Sequence, residues 1–354
     1  MLQSQFPTTL FVFSEYWWFY LAFVGLIFVV LFLDLGVFNK NTHVISIKES
    51  LIWSIVWFVL AMAFNLFFYF FAKDKAIQWY LDHSWAIPQG STAQIAGAIE
   101  GKNSGLEFLA GYIIEKVLAV DNIFVFVVLF NFFKTPLKYQ HKILFFGILG
   151  ALLFRGIFIS IGAALIEYDW VLILFGGFLI LTGFKLLFLP ESQKDIGENF
   201  LIRFFKKSNL VSNKSYDEIQ GRFFIREKGR FFITSLLVAL VFIEFSDIIF
   251  ALDSVPAIFA VTKEPLIVFT SNIFAILGLR SLYFLLANMV EKFVYLKYGL
   301  GVILIFIGLK MVWLEHVYEG KFPISISLAF IFSVLILCII FSIIKIRVEK
   351  KDVK

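Results

Sequence analysis

Carboxylates lie inside apolar segments of this chain, where they could bind a cation or carry a proton. The clearest case is the stretch SDIIFALDSVPAIFA at 246–260, in which Asp247 and Asp253 belong to an apolar run that begins at Phe231. An ionised Asp at the centre of a transmembrane helix costs about 2.5–3.5 kcal/mol on insertion scales, so it normally faces a partner, a cavity or an ion. Pro256 lacks a backbone N–H and obstructs the carbonyl four residues earlier, which predicts a kink or an opening of the helix beside Asp253. The carboxylate oxygens and the backbone carbonyl oxygens freed by the proline are then expected at the same depth in the membrane.

The pattern of this stretch occurs twice in the chain. Residues 115–126 read EKVLAVDNIFVF and residues 247–259 read DIIFALDSVPAIF. Each unit holds an acid, a second acid, a polar residue, an arginine and a lysine. The members are Glu115, Asp121, Asn122, Arg155 and Lys185 in the first unit, and Asp247, Asp253, Ser254, Arg280 and Lys310 in the second. Three predicted crossings per unit is an odd number, so the second unit should enter the membrane from the opposite side, as in inverted-repeat transporters.

Composition is typical of an integral membrane protein. The 354 residues are 60% hydrophobic, 19% aromatic with 48 Phe, and only 16% charged, which excludes an ordinary soluble domain. A single cysteine, Cys338, excludes a disulfide framework and a thiolate metal cluster. The net charge of +5 comes from bases in alternating loops, which indicates membrane orientation rather than nucleic-acid binding.

Hydrophobic runs predict an all-α, polytopic helical membrane protein with about nine crossings. The predicted crossings are Glu15–Phe38, Leu51–Ala72, Leu106–Phe133, Ile143–Ile166, Trp170–Leu189, Phe231–Ala260, Leu266–Val290, Tyr298–Leu314 and Ile324–Ile344. These crossings divide the chain into five segments. Residues 1–104 hold two helices and an outside loop at 73–104, and residues 105–189 form the first repeat. A basic cytoplasmic connector at 190–230 leads to the second repeat at 231–314, and residues 315–354 form the last helix and a basic cytoplasmic tail.

Basic residues predict the orientation of these crossings. Of the Lys and Arg residues in loops, 21 fall on one side and five on the other. Since cytoplasmic loops carry the excess of Lys and Arg, we expect the N-terminus outside and the C-terminus in the cytoplasm, in the inner (plasma) membrane of the cell.

Oxygen donors dominate the polar residues of the predicted crossings. The acids are Asp34, Glu115, Asp121, Glu244, Asp247 and Asp253, with Asn122 and Ser254 as neutral donors. Such a set suits hard or borderline divalent cations such as Mn²⁺, Mg²⁺ or Ca²⁺, whereas zinc or copper would recruit His, Cys or Met. The four histidines all fall in loops or at helix ends: His43, His83, His141 and His316.

Helix geometry limits which of these oxygens can share one ion. Residues six apart, such as Glu115 and Asp121, differ by about 120° in direction and about 9 Å in height, whereas residues seven apart return to one face. Asp247 therefore shares a face with Ser254. We expect a midplane site between the two units. Its inner shell would be Asp121, Asn122, Asp253 and Ser254, with Glu115 and Asp247 as further ligands or proton carriers and Glu244 and Asp34 as additional candidates.

The intramembrane bases have other expected roles. Arg155 and Arg280 are expected to hold acids in place, because a cation site repels them. Lys116, Lys185 and Lys310 are expected to extend to the interface, as lysines near helix ends do. Asn272 could be a ligand or an interhelical hydrogen-bonding residue, of which the second is commoner.

Two stretches resemble the TerC family of integral membrane proteins. They are EKVLAVDNIFVF and SDIIFALDSVPAIFAVTKEPLIVFTSNIFAILGLRSLYFLLA, and the likeness covers Asp34 and about Phe108 to Lys310. The family is named for tellurium resistance and is associated with manganese export and metal homeostasis, so the resemblance implies a cation exporter. Ser246 stands where many members carry Thr, which keeps the hydroxyl.

The leading hypothesis is a secondary transporter, not an enzyme, that exports Mn²⁺ by alternating access with carboxylates exchanging protons for the metal. Its partners would be the divalent cation, protons and the bilayer, with no nucleic acid and no resident cofactor; metal selectivity and oligomeric state are left open. A non-transporting assembly or metallation partner of exported proteins is the main alternative. An intramembrane aspartyl hydrolase would use two Asp residues, but the expected Gly-x-Gly-Asp context is missing.

Overall fold

The computed structural model describes residues 9–33, 46–165, 168–188, 211–212, 214–227, 229–287, 295–314, 317 and 322–352. Within these ranges the α-helices are α1 Phe13–Leu33, α2 Ile47–Asp82, α3 Ala93–Phe132, α4 Leu137–Leu165, α5 Asp169–Phe188, α6 Tyr216–Ile219, α7 Ser235–Phe259, α8 Pro265–Leu277, α9 Leu279–Leu286, α10 Leu296–Leu309 and α11 Ile324–Asp352. Two short strands, β1 Phe224–Glu227 and β2 Arg230–Ile233, form an antiparallel hairpin. A π-helical turn at Lys310–Leu314 extends α10.

The fold is an all-α polytopic membrane protein. Seven described helices are long and apolar enough to cross a membrane, and the bent pair α8–α9 makes an eighth. The 40 residues of α3 correspond to the remaining predicted crossing, although this helix carries Glu115, Lys116 and Asp121 close together. Large apolar side chains are exposed along these helices, as expected of surfaces that face lipid.

The predicted outside loop at 73–104 is wrong in extent. Helix α2 continues to Asp82 and α3 begins at Ala93 after the N-cap Thr92, so the connection is short. Glycines of α3 let the two helices pack closely over this length: a Cβ at Gly97 would lie 2.9 Å from the Ile77 backbone N, and one at Gly101 would lie 2.9 Å from the Tyr69 carbonyl O. Small residues allow this approach, and the packing keeps polar sequence helical.

Two other boundaries differ from the prediction. The chain before Ser235 pairs in β2 instead of starting α7 at Phe231. The predicted opening at Pro256 is also wrong, because α7 remains helical past the proline to Phe259. The break occurs instead at Gly278, between α8 and α9, which meet at 41°.

Corresponding helices of the two units pack in matching ways. The first helix of each unit packs on the middle helix of the other unit, α7 on α4 and α3 on α8. The third helices of the two units, α5 and α10, pack on each other. In the last pair, Cβ atoms at Gly176 and Gly183 would lie 2.9 Å from the Gly308 carbonyl O and 2.6 Å from the Gly301 carbonyl O. Gly176, the earlier glycine in α5, meets Gly308, the later one in α10, and Gly183 meets Gly301. The two helices are therefore antiparallel. This arrangement supports the inverted repeat, which stays a prediction.

Candidate functional site

A buried polar cluster lies inside the bundle around Arg155 of α4, whose side chain is only 1% exposed. Its Nη2 donates to Asp247 Oδ1 at 3.2 Å and its Nε to Asp247 Oδ2 at 3.5 Å. Its Nη1 donates to Glu115 Oε1. One guanidinium therefore holds carboxylates from α3 and α7, the first helices of the two units.

Two neutral side chains complete the cluster. Arg155 Nη1 also donates to Asn272 Oδ1 at 2.8 Å and lies 3.4 Å from the accepting Ser254 Oγ. Asn272 Nδ2 in turn lies 3.4 Å from Glu115 Oε2, to which it donates. Asn272 thus bridges the arginine and an acid, which matches the interhelical role that its sequence context favoured.

Helix geometry brings these residues together. Asp247 and Ser254 are seven residues apart on α7 and both reach Arg155, as expected for residues on one face. Glu115 comes from α3 and Asn272 from α8, so four helices contribute to the cluster. Of the predicted ligands, the structure brings together Glu115, Asp247 and Ser254.

The described charges of the cluster do not cancel. Arginine stays protonated in proteins, so Arg155 contributes one positive charge against the two carboxylates of Glu115 and Asp247. Burying ions costs several kcal/mol each, which the attraction offsets only if every group is well paired. When both acids are ionised, one negative charge remains, and a cation or a proton would neutralise it.

A third carboxylate, that of Glu244, lies one helical turn before Asp247 on α7. It rests on α4 at two glycines: its Oε1 is 3.9 Å from the position of a Cβ at Gly147, and a Cβ at Gly150 would overlap the carboxylate. Its Oε2 is buried and accepts no hydrogen bond from the described residues. Because buried oxygens are normally satisfied, this one is a candidate proton or cation acceptor.

A small cavity of about 50 Å³ adjoins the cluster at Ser254. Asn122 of α3, at the position that corresponds to Ser254, also lines it, together with Thr182 of α5. The other lining residues are apolar: Leu118, Leu186, Phe250, Leu300 and Leu304. The cavity is large enough for one or two waters and has the polar partners that water or a small ion needs.

Three predicted ligands have side chains outside the described part of the structure. Asp34 lies outside the described residues. Asp121 and Asp253 are helical positions of α3 and α7, but their side chains are outside the described part of the chain. Among the side chains that are described, no three His, Cys, Asp or Glu groups are arranged to hold one metal ion.

The lysines divide between two environments. Lys310 does not extend to the interface as predicted: it is 3% exposed and donates to the Ala260 carbonyl O at 2.8 Å, at the carboxyl end of α7. This position favours a cation because of the helix dipole. Lys116 Nζ lies 5.6 Å from the centre of the Tyr112 ring, beside the break at Gly278.

Comparisons with known proteins agree with the membrane fold. Residues 100–350 match the model of the family described as "Integral membrane protein TerC family". An "Uncharacterized membrane protein" of Myxococcus xanthus is 44% identical over 327 residues, which cover 92% of each chain. The "Putative membrane-bound redox modulator Alx" of Escherichia coli K12 is 41% identical over 303 residues, 85% of this chain and 86% of the relative.

An "Uncharacterized membrane protein" of Rickettsia bellii is 38% identical over 328 residues, which cover 92% of this chain and 97% of that relative. No solved structure matches. The family model spans more than half of the chain, and the relatives match over most of their length. The chain therefore belongs to the TerC family of integral membrane proteins.

Proposed function

We propose that this protein exports Mn²⁺ across the inner membrane by alternating access, with the N-terminus outside. The observation that carries the proposal is the convergence of Glu115 from the first unit with Asp247 and Ser254 from the second at one buried point. Oxygen donors from two halves that can move relative to one another are what an ion-binding site of such a transporter needs. Carboxylate and hydroxyl ligands suit Mn²⁺ and other hard cations.

Arg155 has a defined part in this proposal. Its guanidinium occupies the position between Glu115 and Asp247 that a cation would take. We infer that ion binding displaces Arg155 from at least one acid and that the arginine returns when the ion leaves. The arginine then keeps the buried carboxylates paired between transport steps, which avoids the cost of an unpaired buried charge.

Charge balance favours proton exchange. Glu115, Asp247 and Glu244 carry three negative charges when ionised and Arg155 carries one positive charge, so these four groups together have room for two positive charges. One divalent cation or two protons would neutralise them equally. Exchange of one Mn²⁺ for two protons would therefore leave the charge of these groups unchanged, which keeps the membrane interior from carrying net charge in either step.

The name of the Alx relatives refers to redox modulation. This chain has one cysteine, Cys338, so it cannot form a disulfide within itself. We propose that an effect on the redox state of the cell would follow from the transported metal rather than from a thiol pair in this protein.

Mn²⁺ flux into proteoliposomes tests the proposal, measured by quenching of a trapped metal-sensitive dye with and without a pH gradient. We expect flux with the wild-type protein and its loss in Asp247→Asn and Glu115→Gln, since each removes a ligand charge. Asp74→Asn, at an exposed position of α2, is the matched control and should transport normally. Absence of wild-type Mn²⁺ flux under both conditions would overturn the proposal and favour a non-transporting partner of other membrane proteins.

A further inference from the structure

A second, much larger cavity of about 820 Å³ lies between α1 and α4, with α8 as its floor. Its lining is almost entirely apolar, as at Phe28, Leu153 and Phe269. This volume is within the range of small-molecule sites, about 300–1,000 Å³. The cavity does not include Glu115, Arg155, Asp247 or the other residues of the polar cluster.

The cavity follows the helices over more than half the thickness of the hydrocarbon core. Its lining on α4 extends from Leu149 to Ala163, which is about 21 Å at 1.5 Å per residue. One end lies where α1 and α8 begin, at Phe13 and Pro265, and the other end reaches Phe28. The hydrocarbon core of a bilayer is about 30 Å thick, so the cavity runs from one side of the membrane past its middle.

Water has little to bind in this cavity. Ser160 is one of its few polar side chains, and its Oγ already donates to the Gly156 carbonyl O at 2.7 Å. Apolar cavities stay dry, and a dry void deprives its lining of packing contacts. An apolar occupant is therefore favoured.

The cavity continues the surface that faces lipid. Phe28, Leu153 and Ile157 line it and are also exposed large apolar side chains on α1 and α4. Near the end where α1 begins, Trp17 and Trp18 are exposed. Tryptophans of this kind mark the boundary between membrane and water, so this end lies at headgroup level. An acyl chain whose headgroup stays at that level would enter the cavity along its length.

We propose that this cavity is a binding site for one acyl chain of a membrane phospholipid. The lipid chain fills the space between α1 and α4 and so completes the packing of α1. Aromatic contacts also hold α1 on α2, as between Phe23 and Phe64, whose ring centres are 5.3 Å apart. Lipid bound there should exchange more slowly than lipid on the outer faces of α5 and α11.

Photocrosslinking in nanodiscs tests the site in the whole protein. The probe is a phospholipid with a diazirine on one acyl chain, and crosslinked peptides are mapped by mass spectrometry. We expect crosslinks concentrated on α1, α4 and α8 at the lining residues, several-fold above those on α5 and α11. Equal labelling of all lipid-facing helices would overturn the proposal, because it would indicate ordinary surrounding lipid only.

A filled cavity provides the second test. Gly156→Leu places a side chain in the cavity without a backbone clash, since its Cβ would lie 3.8 Å from Phe269 Cε2. Gly177→Leu on α5 is the matched control, because nothing lies within 4 Å of its Cβ position. We expect several-fold fewer crosslinks on α1 and α8 in Gly156→Leu and no change in the control.

Unchanged crosslinking in a folded Gly156→Leu protein would overturn the proposal. If that variant does not fold, Leu153→Trp fills the cavity from its exposed side and should give the same loss. Mn²⁺ flux is not the readout, so this result is independent of the proposed transport.

Discussion

The middle helix of the first unit, α4, is continuous from Leu137 to Leu165, whereas the corresponding segment of the second unit is divided at Gly278 into α8 and α9. Arg155 lies well inside α4 and binds two acids. Arg280 is the arginine of the second unit and lies just past the break, where it is 5% exposed. Repeated sequence therefore places one arginine inside a continuous helix and the other beside a helix break.

Space rather than backbone conformation limits the size of the residue at the break. Its φ is −80°, which any residue adopts. A Cβ at Gly278 would lie 2.5 Å from Lys116 Nζ and 3.3 Å from Trp57 Cβ. Lys116 thus lies where α8 ends, and a helix C-terminus favours a positive charge. The middle segment of the second unit is thus bent at Gly278, whereas Arg155 lies on an uninterrupted helix.

Arg155→Gln should have the largest effect on the protein. Removing one partner of a buried ion pair costs about 3–5 kcal/mol, and here it leaves two acids facing each other. We expect a much lower unfolding temperature in detergent, monitored by tryptophan fluorescence, and loss of Mn²⁺ flux.

Arg280→Gln is the matched control for this comparison. We expect Arg280→Gln to leave Mn²⁺ binding to the purified protein intact even where stability falls, because the described ion pairs of Glu115 and Asp247 are with Arg155. Equal loss of Mn²⁺ binding in both variants would show that the two arginines act alike, against the asymmetry described above.

Gly278→Val tests whether the break depends on space. Overpacking a filled site costs about 1–3 kcal/mol, so the free energy of unfolding should fall by that amount. Lys116→Ala removes the nearest side chain and should restore part of the loss, because contacting residues couple in a double-mutant cycle. Additive effects of the two substitutions would contradict this geometry.

Sequence reasoning found the acids of the cluster but not their surroundings. Glu115, Asp247 and Ser254 were predictable because charge in an apolar run is costly and residues seven apart share a helix face. The role of Asn272 was ambiguous, because an amide side chain can coordinate an ion or form a hydrogen bond to a neighbouring helix.

Features that depend on tertiary contacts could not be read from the sequence. The glycines that accommodate Glu244 were missed because a pair of small residues three apart is common in membrane helices. An opening was predicted at Pro256, but α7 continues past it and the break occurs at Gly278, beside Lys116.

The turns before α4 and α8 extend the comparison between the units. They read KTPL at 134–137 and KEPL at 263–266, so Thr135 in the first corresponds to Glu264 in the second. Thr135 Oγ1 lies 3.5 Å from the Tyr216 hydroxyl, in the segment between the units. Glu264 accepts hydrogen bonds from the backbone N–H groups of Leu10 and Phe11. Each turn thus anchors a segment that lies outside the repeat.

The acid in the second turn should make stability depend on pH in a defined direction. Burial, with a contribution from the nearby Glu107 and against the two backbone hydrogen bonds, raises the pKa of the Glu264 carboxyl from 4.5 to about 8. Between pH 4.5 and about 8 the unfolded chain releases this proton while the folded protein keeps it. The free energy of unfolding therefore falls as pH rises through this window, by at most about 1.4 kcal/mol per pH unit. Above about pH 8 both the folded and the unfolded chain have released the proton, so Glu264 no longer changes the stability.

Glu264→Gln should remove this part of the pH dependence and leave Mn²⁺ flux unchanged, because the residue is remote from the polar cluster. The amide resembles the protonated acid, so the variant should match the wild type near pH 5 and become relatively more stable towards pH 8. Thermal unfolding at a series of pH values measures the difference, with the exposed Asp74→Asn as the control that keeps the wild-type slope. Parallel wild-type and Glu264→Gln profiles would mean that Glu264 does not titrate in this window, and the anchoring of Leu10 would then not depend on its protonation.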